Sequence, residues 1–378
     1  MNKKAFIYGV SVAGENFTDR IKETRRLKMN FENGQNVILL SPRRMGKTSL
    51  VQKVANEVDE ERVKVVFMDI YDCRNEQEFY QKFATSVLRA AASRSEQVLD
   101  YVKQFLTSLV PKISFSPTPD SDFSFSLGLN LADNNDPTEI LNLPERIADK
   151  TGKHIVVCID EFQQIGEMVG SLTIQKRLRS VWQLQQNVSY CLFGSKKHML
   201  LRLFKDRRMP FYQFGDTIEL GAIPTEDWVP FICQKFQDRN IVINESQASK
   251  ICLLVRNYSS YVQQLAWNVM LICDKTVTDE DVDMAMQETI NQNIILFQEQ
   301  IKDLSSYQMN FLRAICQGIH SGFASKDVLE RFSLGTKSNI NRLHTSLIEK
   351  ELIESIDQKL YIMDPVFERW FCKNYTLL

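Results

Sequence analysis

The sequence has 378 residues, more than one hydrophobic core usually organises, so we expect two or three domains. Hydrophobic residues make up 44% and charged residues 25%, a composition typical of folded globular proteins that excludes a disordered or fibrous chain. The formal net charge of −1 excludes general attraction of nucleic acid, so any such contact requires a local basic patch.

Cysteine usage and the N-terminus indicate the compartment. Eight cysteines are scattered without C-x-x-C pairs, and we expect them to be buried thiols in a reducing compartment. The four histidines lie at no metal-ligand spacing, so we expect no transition-metal site. MNKKAFIYGV lacks a signal-peptide core, and no apolar stretch reaches the ~18 residues of a membrane span. We therefore expect a cytoplasmic protein with no membrane partner.

Strand-like and helix-like patterns alternate from about residue 35 to residue 220, which is typical of a parallel sheet covered by helices. Four apolar runs qualify as buried strands: NVILL (36–40), VKVVFMDIY (63–71), HIVVCID (154–160) and YCLFG (190–194). Between the second and third, KISFSPTPDSDFSFSLGLN (112–130) alternates apolar residues with serines around a Pro-Asp-Ser turn. This alternation predicts an inserted β-hairpin.

The first strand leads into LLSPRRMGKTSLVQKVA (39–55), which matches the phosphate-binding pattern G-x-x-x-x-G-K-[ST] except that Ser41 replaces the first glycine. In such a loop, backbone N–H groups and a helix N-terminus surround the phosphates, Lys47 reaches the β- and γ-phosphates, and Thr48 holds Mg²⁺. Serine suits the first position only if φ is not strongly positive there. The predicted ATP-binding residues of the loop are Ser41, Pro42, Arg43, Arg44, Met45, Gly46, Lys47, Thr48 and Ser49.

The third strand delivers Asp160 and Glu161 to the sheet edge where ligands bind in α/β proteins. This is a Walker B pattern, in which we expect Asp160 near Mg²⁺ and Glu161 beside the attacking water. We expect Gln163 to contact the γ-phosphate. The alternative is an acidic pair that only closes a strand into a turn.

The fourth strand places Ser195 at its exit, where it would serve as a sensor of the γ-phosphate if this strand neighbours both motif strands. An ordinary helix cap is the alternative for this serine. The predicted catalytic residues are therefore Glu161, Asp160, Lys47 and Ser195. Further on, Arg207 and Arg208 are candidates for an arginine finger, with a solvated basic loop as the alternative.

After residue 220 the strand signals stop and amphipathic helices follow one another, which predicts a helical lid. The residues from Ser305 onward read as three helices and a strand-rich wing, the order of a winged helix-turn-helix. The predicted domains are a P-loop ATPase domain (1–222), a lid (223–302) and a winged helix (303–378).

The segment TKSNINRLHTSLIEK (336–350) is the predicted recognition helix. Its expected core face carries Ile340, Leu343, Leu347 and Ile348. The opposite face carries side chains suited to phosphates and base edges: Lys337, Ser338, Asn341, Arg342 and Thr345. A solvated or protein-binding helix face would show the same residue types.

The motifs SPRRMGKTS, IDEFQQI and FGS, in this order and spacing, resemble the bacterial and archaeal AAA+/STAND-like ATPases often called archaeal-type ATPases. The resemblance spans nearly the whole chain. It implies that the segment 6–27 packs near the adenine, with Phe17, Arg20 and Glu23 close to the base. It also implies that NYSSYVQQLAW (257–267) carries the sensor-2 function, although Ser259 stands where that family's helix usually begins with a proline motif.

The sequence thus predicts an α/β fold: a P-loop NTPase sheet of the AAA+ type, followed by a helical lid and a winged helix. The resemblance implies slow ATP turnover coupled to domain rearrangement, with ATP and Mg²⁺ as cofactors. Two alternatives stay open: a nucleotide-bound regulator that does not hydrolyse ATP, and an interaction scaffold. The winged helix would contact double-stranded DNA, a protein partner or a second copy of the chain.

Overall fold

The computed structural model describes residues 5–12, 14–92 and 137–376. The hairpin predicted at 112–130 lies outside these residues. The chain forms two compact units: one is Arg20–Gly221, and the other combines Met1–Asp19 with Ala222–Leu378.

The unit Arg20–Gly221 is built on a parallel sheet. Its strands are β1 (Val37–Leu40), β2 (Val63–Asp69), β3 (His154–Asp160), β4 (Val188–Phe193) and β5 (Asp216–Glu219). They lie in the order β2-β3-β4-β1-β5, and each neighbouring pair is parallel. The first four correspond to the predicted runs. β5 was not predicted, because its sequence DTIE contains a single buried apolar residue, Ile218.

Helices cover both faces of this sheet. They are α1 (Ile21–Glu32), α2 (Lys47–Glu57), α3 (Glu76–Ala92), α4 (Pro137–Leu141), α5 (Leu143–Thr151), α6 (Ser171–Trp182) and α7 (Lys197–Lys205), with a short 3-10 helix (Phe162–Gly166) after β3. All residues of β1 and β4 are buried, as expected of central strands in a sheet covered on both sides. Ring stacking adds to this core, since Trp182 lies parallel to Tyr190 with centroids 3.9 Å apart.

The second unit begins its C-terminal part with five helices: α8 (Thr225–Gln237), α9 (Glu245–Leu254), α10 (Ser259–Ile272), α11 (Asp279–Asn291) and α12 (Ile294–Lys302). Capping boxes at Asn244 and Thr278 satisfy backbone N–H groups at the starts of α9 and α11. The N-terminal residues pack within the same unit. The Phe6 ring lies 5.8 Å from that of Phe236, and the Ile7 N–H donates to Gln263 Oε1 at 2.8 Å.

A winged helix follows, built from α13 (Ser306–Cys316), α14 (Lys326–Arg331), α15 (Lys337–Glu349), β6 (Ile353–Ile356) and β7 (Lys359–Ile362). This is the predicted order of three helices and a wing. The antiparallel hairpin β6–β7 turns at Asp357 and Gln358, whose φ values of 48° and 62° suit a two-residue type I′ turn. A further helix, α16 (Pro365–Tyr375), was not predicted; the Asp364 side chain caps it by accepting the N–H groups of Val366 and Phe367.

The helix α15 matches the predicted recognition helix in extent and in its two faces. Leu343 and Leu347 are buried, while Ile340 and Ile348 are half-buried. The five polar residues predicted to face outward are all exposed: Lys337, Ser338, Asn341, Arg342 and Thr345.

Cys316 and Cys372 form a disulfide, which corrects the expectation that all eight cysteines are thiols. The two residues are 56 positions apart in sequence, but α13 and α16 bring their Cα atoms to 5.4 Å, within disulfide range. Sequence spacing alone cannot reveal such a pair. The other six cysteines are free, and four of these are buried. Within the described residues, no helix is both long and apolar enough to span a bilayer.

Candidate nucleotide site

The loop between β1 and α2 has the backbone shape of an anion cradle. Arg44 and Gly46 adopt left-handed conformations, with φ values of 66° and 86°, and α2 begins directly afterwards at Lys47. Such conformations turn successive N–H groups toward one concave side, and the helix N-terminus adds its positive dipole end. Ser41 is buried and is not among the residues of positive φ, so a glycine is not required there.

Lys47 lies on the inside of this loop. Its side chain is buried, and Nζ donates to the Pro42 carbonyl oxygen at 3.1 Å. A buried ammonium needs polar or anionic partners, and a phosphate would supply them. The remaining predicted loop residues divide between surface and core, since Arg43 is exposed whereas Met45 and Ser49 are buried.

Thr48 and Asp160 form the contact that joins the loop to β3. The Thr48 hydroxyl donates to Asp160 Oδ2 at 3.0 Å, and the Glu161 N–H donates to Asp160 Oδ1 at 2.8 Å. Burial raises the pKa of Asp160 to about 6, although these two hydrogen bonds act in the opposite direction. A hydroxyl and a carboxylate are ligands that Mg²⁺ accepts, so the pair fits this ion.

Glu161 follows β3 directly and has a left-handed backbone, with φ of 56°. Because β4 pairs with both β1 and β3, the exit of β4 lies between the two motif strands. Ser195 comes from that exit, and its Oγ donates to Glu161 Oε2 at 2.9 Å. Gln163 is buried and donates from Nε2 to the same carboxylate oxygen. The structure therefore brings Ser195 and Gln163 together on Glu161.

Arg20 is buried, and its side chain forms a hydrogen bond to the loop between β1 and α2. Its Nη2 donates to the Met45 carbonyl at 3.3 Å and to the Gly221 carbonyl at 2.6 Å, while Nη1 pairs with Glu23 at 3.3 Å. These hydrogen bonds could not be predicted from sequence, because their partners lie 25 and 201 positions away. Phe17, which the family resemblance places near the adenine together with Arg20, belongs to the other unit.

A third carboxylate at this sheet edge was missed. Asp69 ends β2 and stands in register with Asp160 of the neighbouring strand. The available signal was a carboxylate closing an apolar run, the same signal that identified Asp160.

The two candidates for an arginine finger, Arg207 and Arg208, are exposed, and Arg208 pairs with Asp206 at 2.8 Å.

Comparisons with known proteins identify the two domains of the chain. A family model described as "ATPase domain predominantly from Archaea" matches residues 17–206, which is half of the chain, and a winged helix domain model matches residues 295–373. No curated protein sequence matches the chain.

Solved structures share the fold over almost the full length. A Walker-type ATPase of Pyrococcus abyssi superposes with a TM-score of 0.69 at 19% identity, covering 97% of this chain and 99% of its own. The ORC2 protein of Aeropyrum pernix, solved as ADPNP-ADP complexes, gives 0.58 at 14% identity with 96% of each chain covered. Its ADP form gives 0.56 at 13% identity, covering 98% of this chain and 97% of its own. By its matched domain, the chain belongs to the family of ATPase domains found predominantly in Archaea.

Proposed function

We propose that the chain binds ATP in the loop 41–49 and hydrolyses it. The observation that carries this proposal is the contact between Thr48 and Asp160, because it joins a phosphate loop to a Walker B strand with Glu161 next in sequence. Three parts of a phosphoryl-transfer site then meet at the carboxyl ends of adjacent strands: an anion cradle, a metal-binding pair and a candidate base.

Each residue has a role that follows from its chemistry. Lys47 binds the β- and γ-phosphates as a point charge, and Thr48 and Asp160 hold the metal. When bound, Mg²⁺ neutralises charge that develops on the phosphate oxygens. Glu161 accepts a proton from the attacking water, and Ser195 donates its hydroxyl to the carboxylate or to the γ-phosphate.

A nucleotide-bound regulator without turnover is the second candidate. It is favoured by one observation, the engagement of the Glu161 carboxylate by both Ser195 and Gln163. A carboxylate that these donors hold in place at one oxygen is restricted in turning toward an attacking water.

Replacement of Glu161 separates the two candidates. We expect the parent protein to release phosphate from MgATP, and Glu161→Gln to bind ATP with unchanged affinity but not to hydrolyse it, because an amide cannot accept the proton. Glu167→Gln, an exposed glutamate six positions further on, is the matched control and should hydrolyse at the parent rate. Equal turnover by parent and Glu161→Gln would remove Glu161 as the base, and a parent without turnover would favour the regulator.

We further propose that nucleotide state is coupled to double-stranded DNA through the exposed face of α15. The support is the polar composition of that face, with Lys337 and Arg342 both exposed. A protein partner or a second copy of the chain is the competing occupant. Binding of duplex DNA as a function of salt distinguishes them, since phosphate contacts weaken steeply with ionic strength.

A further inference from the structure

The side chain of Gln163 is buried against the candidate base. It is 1% exposed, and its Nε2 donates to Glu161 Oε2, the same oxygen that receives the Ser195 hydroxyl. No hydrogen bond from the described residues reaches Glu161 Oε1. Two donors thus hold one oxygen of the carboxylate and leave the other for a water.

The other end of this amide is unsatisfied. Gln163 Oε1 is buried and finds no hydrogen-bond partner among the described residues. Exchanging the two ends of the amide would put its oxygen against the Glu161 carboxylate, which is repulsive. An unpaired buried carbonyl is rare in native proteins and calls for an explanation beyond packing.

Gly194 provides the space into which this amide fits. A Cβ atom built on Gly194 would lie 1.9 Å from Gln163 Oε1 and 3.1 Å from the Glu161 Cα atom. The φ of Gly194 is not in the left-handed region, so the backbone does not require glycine here. The close approach of the Gln163 side chain is what requires glycine at this position.

We propose that Gln163 is a positioning residue for hydrolysis: it orients the Glu161 carboxylate so that Oε1 faces the attacking water, and Gly194 makes this possible. The inference rests on the proposed ATPase function and adds to it a role for two residues. It differs from the expectation that Gln163 contacts the γ-phosphate, because one N–H of its amide is engaged by Glu161.

Removal of the amide tests the role of Gln163. Gln163→Met keeps the length of the side chain and loses both polar atoms. We expect the affinity for a non-hydrolysable ATP analogue to stay within twofold of the parent and kcat to fall roughly 10- to 100-fold, since misplacing a catalytic group by about 1 Å has an effect of this size. Gln164→Met is the matched control, because the neighbouring glutamine is half-buried and its side chain makes no hydrogen bond within the described residues.

A second pair of variants keeps the test independent of any single folding defect. Gly194→Ala should lower kcat to a similar extent, since its methyl group displaces the Gln163 amide. In a Gln163→Ala background the same change should have a smaller further effect, because the atoms in the closest contact are gone and only the 3.1 Å approach to the Glu161 Cα atom remains. An additive double variant would show that Gly194 acts independently of Gln163.

The outcomes separate this inference from the proposed function. If the parent hydrolyses ATP and Gln163→Met matches it in kcat, the positioning role is wrong and the ATPase assignment stands. A fall in analogue affinity with unchanged kcat would instead assign Gln163 to nucleotide binding. A parent that does not hydrolyse ATP at all refutes both.

Discussion

Arg20 offers a direct test of how the phosphate loop is supported. The guanidinium is 4% exposed and donates to the carbonyls of Met45, inside the loop, and Gly221, just after β5. Replacing Arg20 by alanine leaves both carbonyls without this donor. Hydrogen bonds from a charged donor contribute roughly 1.5–3 kcal/mol each, so the loss of two predicts destabilisation of at least about 3 kcal/mol.

A destabilisation of this size is measurable as a decrease in the melting temperature. For a unit of about 200 residues, each kcal/mol shifts the midpoint by roughly 2–4 °C, which predicts a decrease of about 6–12 °C for Arg20→Ala by scanning calorimetry. Arg20→Gly should be destabilised by about 1 kcal/mol less than Arg20→Ala, because glycine adopts the φ of 67° at this position without strain. Arg25→Ala, an exposed arginine on the same helix α1, should melt with the parent.

The affinity for an ATP analogue completes this test. We expect Arg20→Ala to bind the analogue more weakly, since the Met45 carbonyl is part of the loop that we propose surrounds the phosphates. Melting within 2 °C of the parent, together with parent affinity, would refute the view that Arg20 supports the loop.

Three further outcomes are expected. Lys47→Ala should weaken binding of a non-hydrolysable ATP analogue by roughly 10- to 100-fold in isothermal titration while melting normally, and unchanged affinity would disprove the loop assignment. Lys337→Ala with Arg342→Ala should weaken duplex DNA binding and flatten its salt dependence by about 0.9 per lost phosphate contact, and a parent that shows no salt-sensitive binding at low salt would assign α15 to a protein partner. Reduction of the Cys316–Cys372 disulfide should destabilise the winged helix by roughly 2–4 kcal/mol, with the double serine variant insensitive to reductant; a parent equally insensitive would mean that the bond does not form in solution.

The sheet could be predicted from sequence where its strands are continuous apolar runs. β1, β3 and β4 lie in the buried middle of the sheet, so nearly every residue in them is apolar. β5 pairs only with β1 at the sheet edge, and two of its four residues are carboxylates. Its assignment as a strand depends on pairing with β1, and the sequence pattern of four residues does not predict that pairing.

Site residues that directly follow a strand could be predicted from sequence. Contacts between residues far apart in sequence could not. Lys47, Thr48, Asp160 and Glu161 follow apolar runs in recognisable motifs. The bonds of Arg20 to the loop and to Gly221 arise only when the chain is folded, and so does the contact between Gln163 and the space above Gly194. The helix α16 depends on a local signal instead. Asp364 at the N-cap and Pro365 at the first helical position are typical of a helix start, although the helix was not predicted.

Three of the twelve non-glycine residues with positive φ in the described part of the chain lie at the candidate site. Arg20, Arg44 and Glu161 all have left-handed conformations, with φ of 67°, 66° and 56°, although glycine would adopt them more easily by about 1–2 kcal/mol. For Arg20 and Glu161 the side chain makes contacts that glycine could not: carbonyls of the loop in one case, Ser195 and Gln163 in the other. A turn maintained for stability alone would be free to use glycine at these positions. At Arg20 and Glu161 these side-chain contacts offset the cost of the left-handed backbone, in agreement with the roles proposed for the two residues.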